Sequence, residues 1–264
     1  MGFRSAATLI EELGITESGE IKIEAIAQYC GATIIYEPLD GCDARILGHG
    51  DRAIITVDSR APRGRQRFSA GHELGHWMRD RGKVAFSCEA NKFIEAWDAD
   101  GPEQRANRYA AEVLLPKSIF TAQARGQSPT FSSAKALAKQ FETSLTATAI
   151  RLVELGSYPS MLVCSTLGRR KWFFRSPDVP SSLWPTLKAG SGSQASKLLR
   201  GAIATAEPTQ VDADDWIDHP EARRYWLLED TLLIGESMAL TLLWWKDESQ
   251  LLDLQEDPEG SQEP

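Results

Sequence analysis

Apolar positions in the first thirty residues recur at helical spacing over 6–13 and again over 21–29, and Gly31 follows as a stop. The period then shortens to two. ATIIYEPL, CDARILGHG and DRAIITVD read as three short strands, the last two joined through a Gly-His-Gly-Asp turn that suits a hairpin. RFSAGHELGHWMRD, residues 67–80, returns to helical spacing, with Phe68, Leu74, Trp77 and Met78 as its apolar contacts. Residues 81–102 show no period, and Pro102 opens a helical run, EQRANRYAAEVLLP, closed by Pro116.

FSSAKALAKQFETSLTATAIRLVELG then gives two helical patterns separated near residues 142–144, in the manner of a helix-turn-helix. A small helical subdomain that packs on its neighbours is the simpler reading of this pair than a DNA reader. Beyond Gly156 and Pro159, SMLVCSTLGRRKWFFRS reads as a hairpin turning at Gly168. A loop rich in Pro, Gly and Ser follows, then a helical SKLLRGAIATA, and two apolar, aromatic strands, RYWLLED and MALTLLWWKD. The pattern predicts an α+β protein in four parts. These are a catalytic-type domain over 1–125, a helix-turn-helix-like segment over 126–158, an α+β domain over 159–246 and an acidic tail over 247–264.

Composition adds limits. With 264 residues and 42% hydrophobic content the chain can bury ordinary cores. The N-terminus lacks the pattern of a signal peptide and no run is long enough to span a bilayer, so the expected setting is cytoplasmic, with no membrane partner. Cys30, Cys42, Cys88 and Cys164 form no C-x-x-C pair, which argues against a disulfide framework. The net charge of -8 is uneven: Asp247, Glu248, Asp253, Glu256, Asp257, Glu259 and Glu263 lie in the tail, which is expected to be disordered. Residues 151–200 carry eight bases against Glu154 and Asp178.

The helix over 67–80 holds the clearest chemistry. His72, Glu73 and His76 form H-E-x-x-H, and positions four apart on a helix project from one face, so both imidazoles can bind one ion with the glutamate alongside. In such a site a zinc ion brings the pKa of its bound water to about 7, and the glutamate takes the proton during attack on a carbonyl. A catalytic zinc needs a third protein ligand. Arg79 and Gly82 exclude the extended three-histidine motif, and His49 and His219 lie in a turn and a separate region. Glu89, Glu95, Asp98, Asp100, Glu103 and Glu112 compete. At about 100° per residue Glu103 shares a face with Ala106, Asn107, Ala110 and Leu114, whereas Glu112 lies opposite, between Arg105 and Arg108. Glu103 is therefore the favoured ligand and Glu95 the runner-up, with Asn107 placed to orient a ligand.

RQRFSAGHELGHWM, followed 27 positions after His76 by ExxANRYAAEVLLP, resembles the ImmA/IrrE metallopeptidases, whose phrases read RFTLAHELGH and E-x-x-AN-x-FAAELLMP. The likeness runs over roughly residues 20–156. Gly71 stands where the family usually has alanine, and Tyr109 where it has phenylalanine. The resemblance implies a zincin-like fold with one zinc per chain on His72, His76 and Glu103, and Glu73 as base. It also implies cleavage of a helix-turn-helix repressor that controls stress, mobile-element or phage-defence genes, and a GAF-like C-terminal sensor domain.

Two further features bear on control. Cys88 lies 12 positions after His76, between the two ligand helices, where a thiolate at the open metal position would hold the site closed. Arg169, Arg170, Lys171 and Arg175 are interleaved with Trp172, Phe173 and Phe174, a mix able to bind single-stranded DNA as an activating signal. Alternation on a hairpin would produce the same mix without a ligand. Two other functions fit the sequence. One is a DNA-binding regulator with a structural zinc and no protease activity, against which stands Glu73, since a structural site has no use for an adjacent base. The other is a zinc hydrolase acting on a small molecule.

Overall fold

The structure, a computed structural model, describes residues 4–79 and 101–255, and the backbone path of 85–88. Chain contacts divide into two compact units. The first comprises Met1–Gln123 with Ala136–Thr148, and the second Ala124–Lys135 with Ala149–Pro264.

In the first unit α1 (Ala6–Glu12) and α2 (Ile23–Tyr29) precede β1 (Ala32–Glu37), β2 (Ala44–His49) and β3 (Arg52–Asp58). β2 and β3 form the expected hairpin, while β1 pairs parallel to β3 from Ala32 opposite Ala53 to Glu37 opposite Asp58. The segment expected to be irregular contributes a short edge strand, β4 (Ala85–Cys88), antiparallel to β2, so the sheet order is β1-β3-β2-β4. Four residues are too few to show a period of two, and a partner strand supplies the order that the local sequence lacks.

α3 (Arg63–Arg79) carries the H-E-x-x-H motif, and every residue from Ala70 to Met78 is buried. A helix buried on all sides needs neighbours on both. The sheet offers Ala44, Ile46, Ile55 and Val57 to the core, and α4 (Pro102–Leu114) packs on α3 as well. Trp77 fixes the depth of α3. Its indole Nε1 donates to the Cys30 carbonyl at 2.9 Å, and a Cβ on Gly48 of β2 would fall 2.6 Å from the ring. α5 (Lys117–Ala124) follows Pro116, which ends one helix and starts the next.

α6 (Phe131–Phe141) and α7 (Leu145–Leu155) are the helix-turn-helix-like pair. They are shared between the two units, the boundary passing through the middle of each, so the segment over 126–158 is not a separate body. From Ala147 to Val153 every residue of α7 is buried. A recognition helix must present a face to the groove. α7 has none over those two turns.

The second unit is built on an entirely antiparallel sheet, β6-β5-β9-β8-β7. β5 (Ser160–Thr166) and β6 (Arg170–Arg175) make the hairpin expected around Gly168, and β8 (Trp226–Ile234) and β9 (Met238–Trp244) match the two aromatic strands. β7 (Thr209–Asp212) completes the other edge. α8 (Gln194–Leu199) is shorter than its helical pattern because Gly201 adopts a left-handed φ of 69° just after it. The acidic tail differs from expectation over part of its length. Residues Ser249–Gln255 form α9, and Leu251 and Leu254 enter the core beside Trp216 and Trp245. Two leucines three positions apart give that turn an apolar face which its net charge hides.

Candidate metal centre

α3 projects His72 and His76 side by side, and α4 brings Glu103 to them from its first turn. The Nε2 atoms of the two histidines stand 3.1 Å apart, with Glu103 Oε2 at 3.2 Å from His72 Nε2 and Glu103 Oε1 at 3.4 Å from His76 Nε2. Donors around one tetrahedral zinc at the usual bond lengths are separated by about 3.3 Å. The donor set and its spacing therefore fit a zinc ion, and it is the one such cluster among the described residues. His72 and His76 are buried, whereas the Glu103 side chain is 45% exposed, so the cluster opens to solvent on the glutamate side.

His72 Nδ1 lies 2.7 Å from Asn107 Oδ1. An amide oxygen there accepts the proton of Nδ1, which leaves the Nε2 lone pair directed at the cluster. Burial works against a charged His72, yet hydrogen bonding to Glu103, the nearby Glu73 carboxylate and Asn107 together hold its pKa above the ordinary value. Two carboxylates around one imidazole favour positive charge, which a divalent cation also supplies. Glu73 is completely buried on the helix between the two histidines.

The approach of α4 depends on small residues that the sequence reading passed over. A Cβ on Gly75 would meet Ala106 Cα at 3.0 Å, and one on Gly71 would meet Ala110 Cβ at 3.2 Å. The signal was present as two glycines four apart on α3 and two alanines four apart on α4. Glu112, the rejected carboxylate, accepts from the Lys117 amide at 3.1 Å. Glu95 lies outside the described residues, as does the side chain of Cys88, which closes β4 in register with Ala44.

The basic cluster is gathered on the β5–β6 hairpin. Arg169 and Lys171 are exposed and Trp172 is half-buried. Arg170 donates to the carbonyls of Pro185 and Thr186, and Arg175 to those of Ser181 and Leu183. Arg175 also stacks over Trp184, with 5.3 Å between the guanidinium carbon and the ring centre. Two of the three arginines thus fasten the loop after β6.

A buried helix bearing H-E-x-x-H, met by a glutamate from a second helix at zinc spacing, is an arrangement of the kind found in zinc metallopeptidases. Residues 27–153 match the IrrE N-terminal-like domain, the Peptidase_M78 family. That stretch, a little under half of the chain, is similar to the ImmA/IrrE family and holds His72, Glu73, His76 and Glu103. No curated protein matches it in sequence. Among solved structures, a Mycobacterium tuberculosis transcriptional regulator superposes with a TM-score of 0.58, over 90% of this chain and 74% of that one, at 14% identity. That is a likeness of fold. No helix among the described residues is long and apolar enough to cross a membrane.

Proposed function

We propose that this chain is a zinc-dependent endopeptidase that cleaves a helix-turn-helix transcriptional repressor. The observation that carries the reading is the convergence of His72, His76 and Glu103 at tetrahedral spacing around a helix that also bears Glu73. Zinc held there would supply a Lewis acid and acidify water at neutral pH. The rest is work for the side chains. Asn107 fixes the tautomer of His72, and Glu73 takes a proton from the attacking water and passes it to the leaving amine. The Glu103 side chain is 45% exposed, which supports access of a substrate to the cluster from that side.

Cleavage of a repressor would release stress, mobile-element or phage-defence genes, and the second unit would receive the activating signal in the manner of a GAF-like sensor. Single-stranded DNA is the first signal to try, at the exposed Arg169 and Lys171. Cys88 is proposed as the latch that keeps the resting enzyme closed, supported by its place in the chain between the two ligand helices. The alternative of a DNA-reading regulator loses support from α7, whose middle is buried.

Co-expression with small helix-turn-helix proteins encoded beside this gene tests the reading. A discrete cleavage product with the unaltered chain, absent with Glu73→Gln, is the expected result. Cleavage that persists in Glu73→Gln contradicts the mechanism. A Cys88→Ser chain is expected to cleave without a signal, and unchanged basal cleavage rejects the latch.

A further inference from the structure

Arg67 lies five positions before His72 on α3, and it is 3% exposed. A guanidinium at that depth is costly unless its donors are answered. The two terminal nitrogens are answered, Nη2 by the Ile21 carbonyl at 2.6 Å and Nη1 by the Phe141 carbonyl at 2.8 Å and the Glu142 carboxylate at 3.0 Å, while the buried Nε has no hydrogen-bond partner among the described residues. Two of these acceptors, Phe141 at the end of α6 and Glu142 just after it, lie where the chain turns into α7. That turn is closely seated on the same helix, since a Cβ on Gly64 would fall 2.7 Å from the Thr143 carbonyl carbon. Glu142 holds a left-handed φ of 52°, a conformation that a residue with a side chain keeps only where its surroundings fix it. The start of the metal helix and this turn therefore move together or not at all.

α6 and α7 also run from one compact unit into the other. At its far end, in the second unit, α6 is fixed by Asp230 of β8, whose buried carboxylate accepts from the Phe131 amide at 2.6 Å. An α-helix transmits a displacement along its axis because its ladder of hydrogen bonds is stiff. The elements in order are the sheet of the second unit, α6, the Glu142 turn, Arg67 and the helix that carries both histidines.

We propose that Arg67 is a positioning residue for the metal centre: it ties α3 to the α6–α7 turn, so that displacement of α6 from the second unit shifts His72 and His76 relative to Glu103. The inference rests on the reading that these three residues hold a metal, and it names the route by which the second unit regulates that site. Arg67 touches none of the ligands, so its effect on the centre is transmitted through α3.

The test uses the full chain loaded with Co2+, whose visible absorption reports coordination geometry, with affinity measured by chelator competition and the thermal midpoint of the metal-free protein recorded alongside. Variants are Arg67→Met, Arg67→Lys and Asp230→Asn, with Leu254→Ala as a control that weakens the second unit without touching α6. Arg67→Met and Asp230→Asn are each expected to shift the cobalt bands and weaken binding at least fivefold, and Arg67→Lys to recover part of the loss. Leu254→Ala is expected to lower the thermal midpoint and leave the spectrum unchanged. If Arg67→Met does not fold, Arg67→Lys and Asp230→Asn decide. Native spectra and affinities in the Arg67 and Asp230 variants overturn the proposal while leaving the metal reading intact. A shift in the Arg67 variants alone confines the coupling to the first unit and overturns the relay. An unaltered chain that binds no Co2+ overturns both.

Discussion

Gly75 and Ala106 stand so close that a methyl group on Gly75 would lie 3.0 Å from the Ala106 Cα and 3.1 Å from the Tyr109 Cβ. Neither neighbour is the end of a flexible side chain, so an added Cβ must push α3 and α4 apart. Glu103 rides on α4, and its separation from the two histidines rides on that distance. Gly75→Ala is expected to cost about 1–3 kcal/mol of stability and to weaken zinc binding at least tenfold, measured by urea unfolding and chelator competition. Gly71→Ala, whose nearest neighbour is a methyl at 3.2 Å, is expected to be milder on both measures. Equal zinc affinity in Gly75→Ala would show that α4 is positioned by something else.

Asn107 controls one ligand through a single hydrogen bond, 2.7 Å from His72 Nδ1. Loss of such a partner typically costs 10- to 100-fold in metal affinity. Asn107→Ala is expected to fall in that range. Asn107→Asp keeps an acceptor and is expected to retain most of the affinity, so a competition assay on the pair separates lost hydrogen bonding from lost packing.

Trp77 and Gly48 set the depth of the metal helix on the sheet. A Cβ on Gly48 would lie 2.6 Å from the Trp77 ring, an edge that the surrounding core holds rigid. Gly48→Ala should destabilise the chain by about 1–3 kcal/mol through overpacking. Trp77→Phe should lose the bond to Cys30 and about 1 kcal/mol with it. Denaturant midpoints check both; a Gly48→Ala chain as stable as the original would mean that α3 sits higher than described.

Cys164 offers a prediction in pH. Burial pushes its thiol up to about 11, against the pull of Lys171. The neutral form therefore persists well above neutral pH, and at pH 8 only about one thiol in a thousand is ionised. Iodoacetamide at pH 8 is expected to leave Cys164 unmodified in the folded protein and to alkylate it after unfolding, read by peptide mass spectrometry. Rapid alkylation of the native protein would show that the strand is open to reagent.

The sequence carried much of this structure because its strongest signals are local. Two histidines four apart specify a shared face wherever the helix lies, and the angular argument that favoured Glu103 over Glu112 works because α4 is regular from Pro102 to Leu114. The β2–β3 hairpin was legible from its turn. What escaped were features that depend on a partner distant in sequence. β4 is ordered by β2, β1 pairs with β3 across a hairpin strand, and Arg67 is buried only because Ile21, Phe141 and Glu142 arrive from elsewhere. Charge also misled. Acidic residues in the tail masked Leu251 and Leu254, and the run of bases on the β5–β6 hairpin did not show that Arg170 and Arg175 bond to backbone carbonyls while Arg169 and Lys171 stay exposed.

The zinc content of the purified chain, measured by plasma mass spectrometry on the unaltered protein, Glu103→Ala and Glu73→Gln, tests the central claim most directly. One zinc per chain is predicted for the unaltered protein and for Glu73→Gln, with most of it lost in Glu103→Ala. Full zinc retention in Glu103→Ala, or none in the unaltered chain, would contradict a centre built from His72, His76 and Glu103.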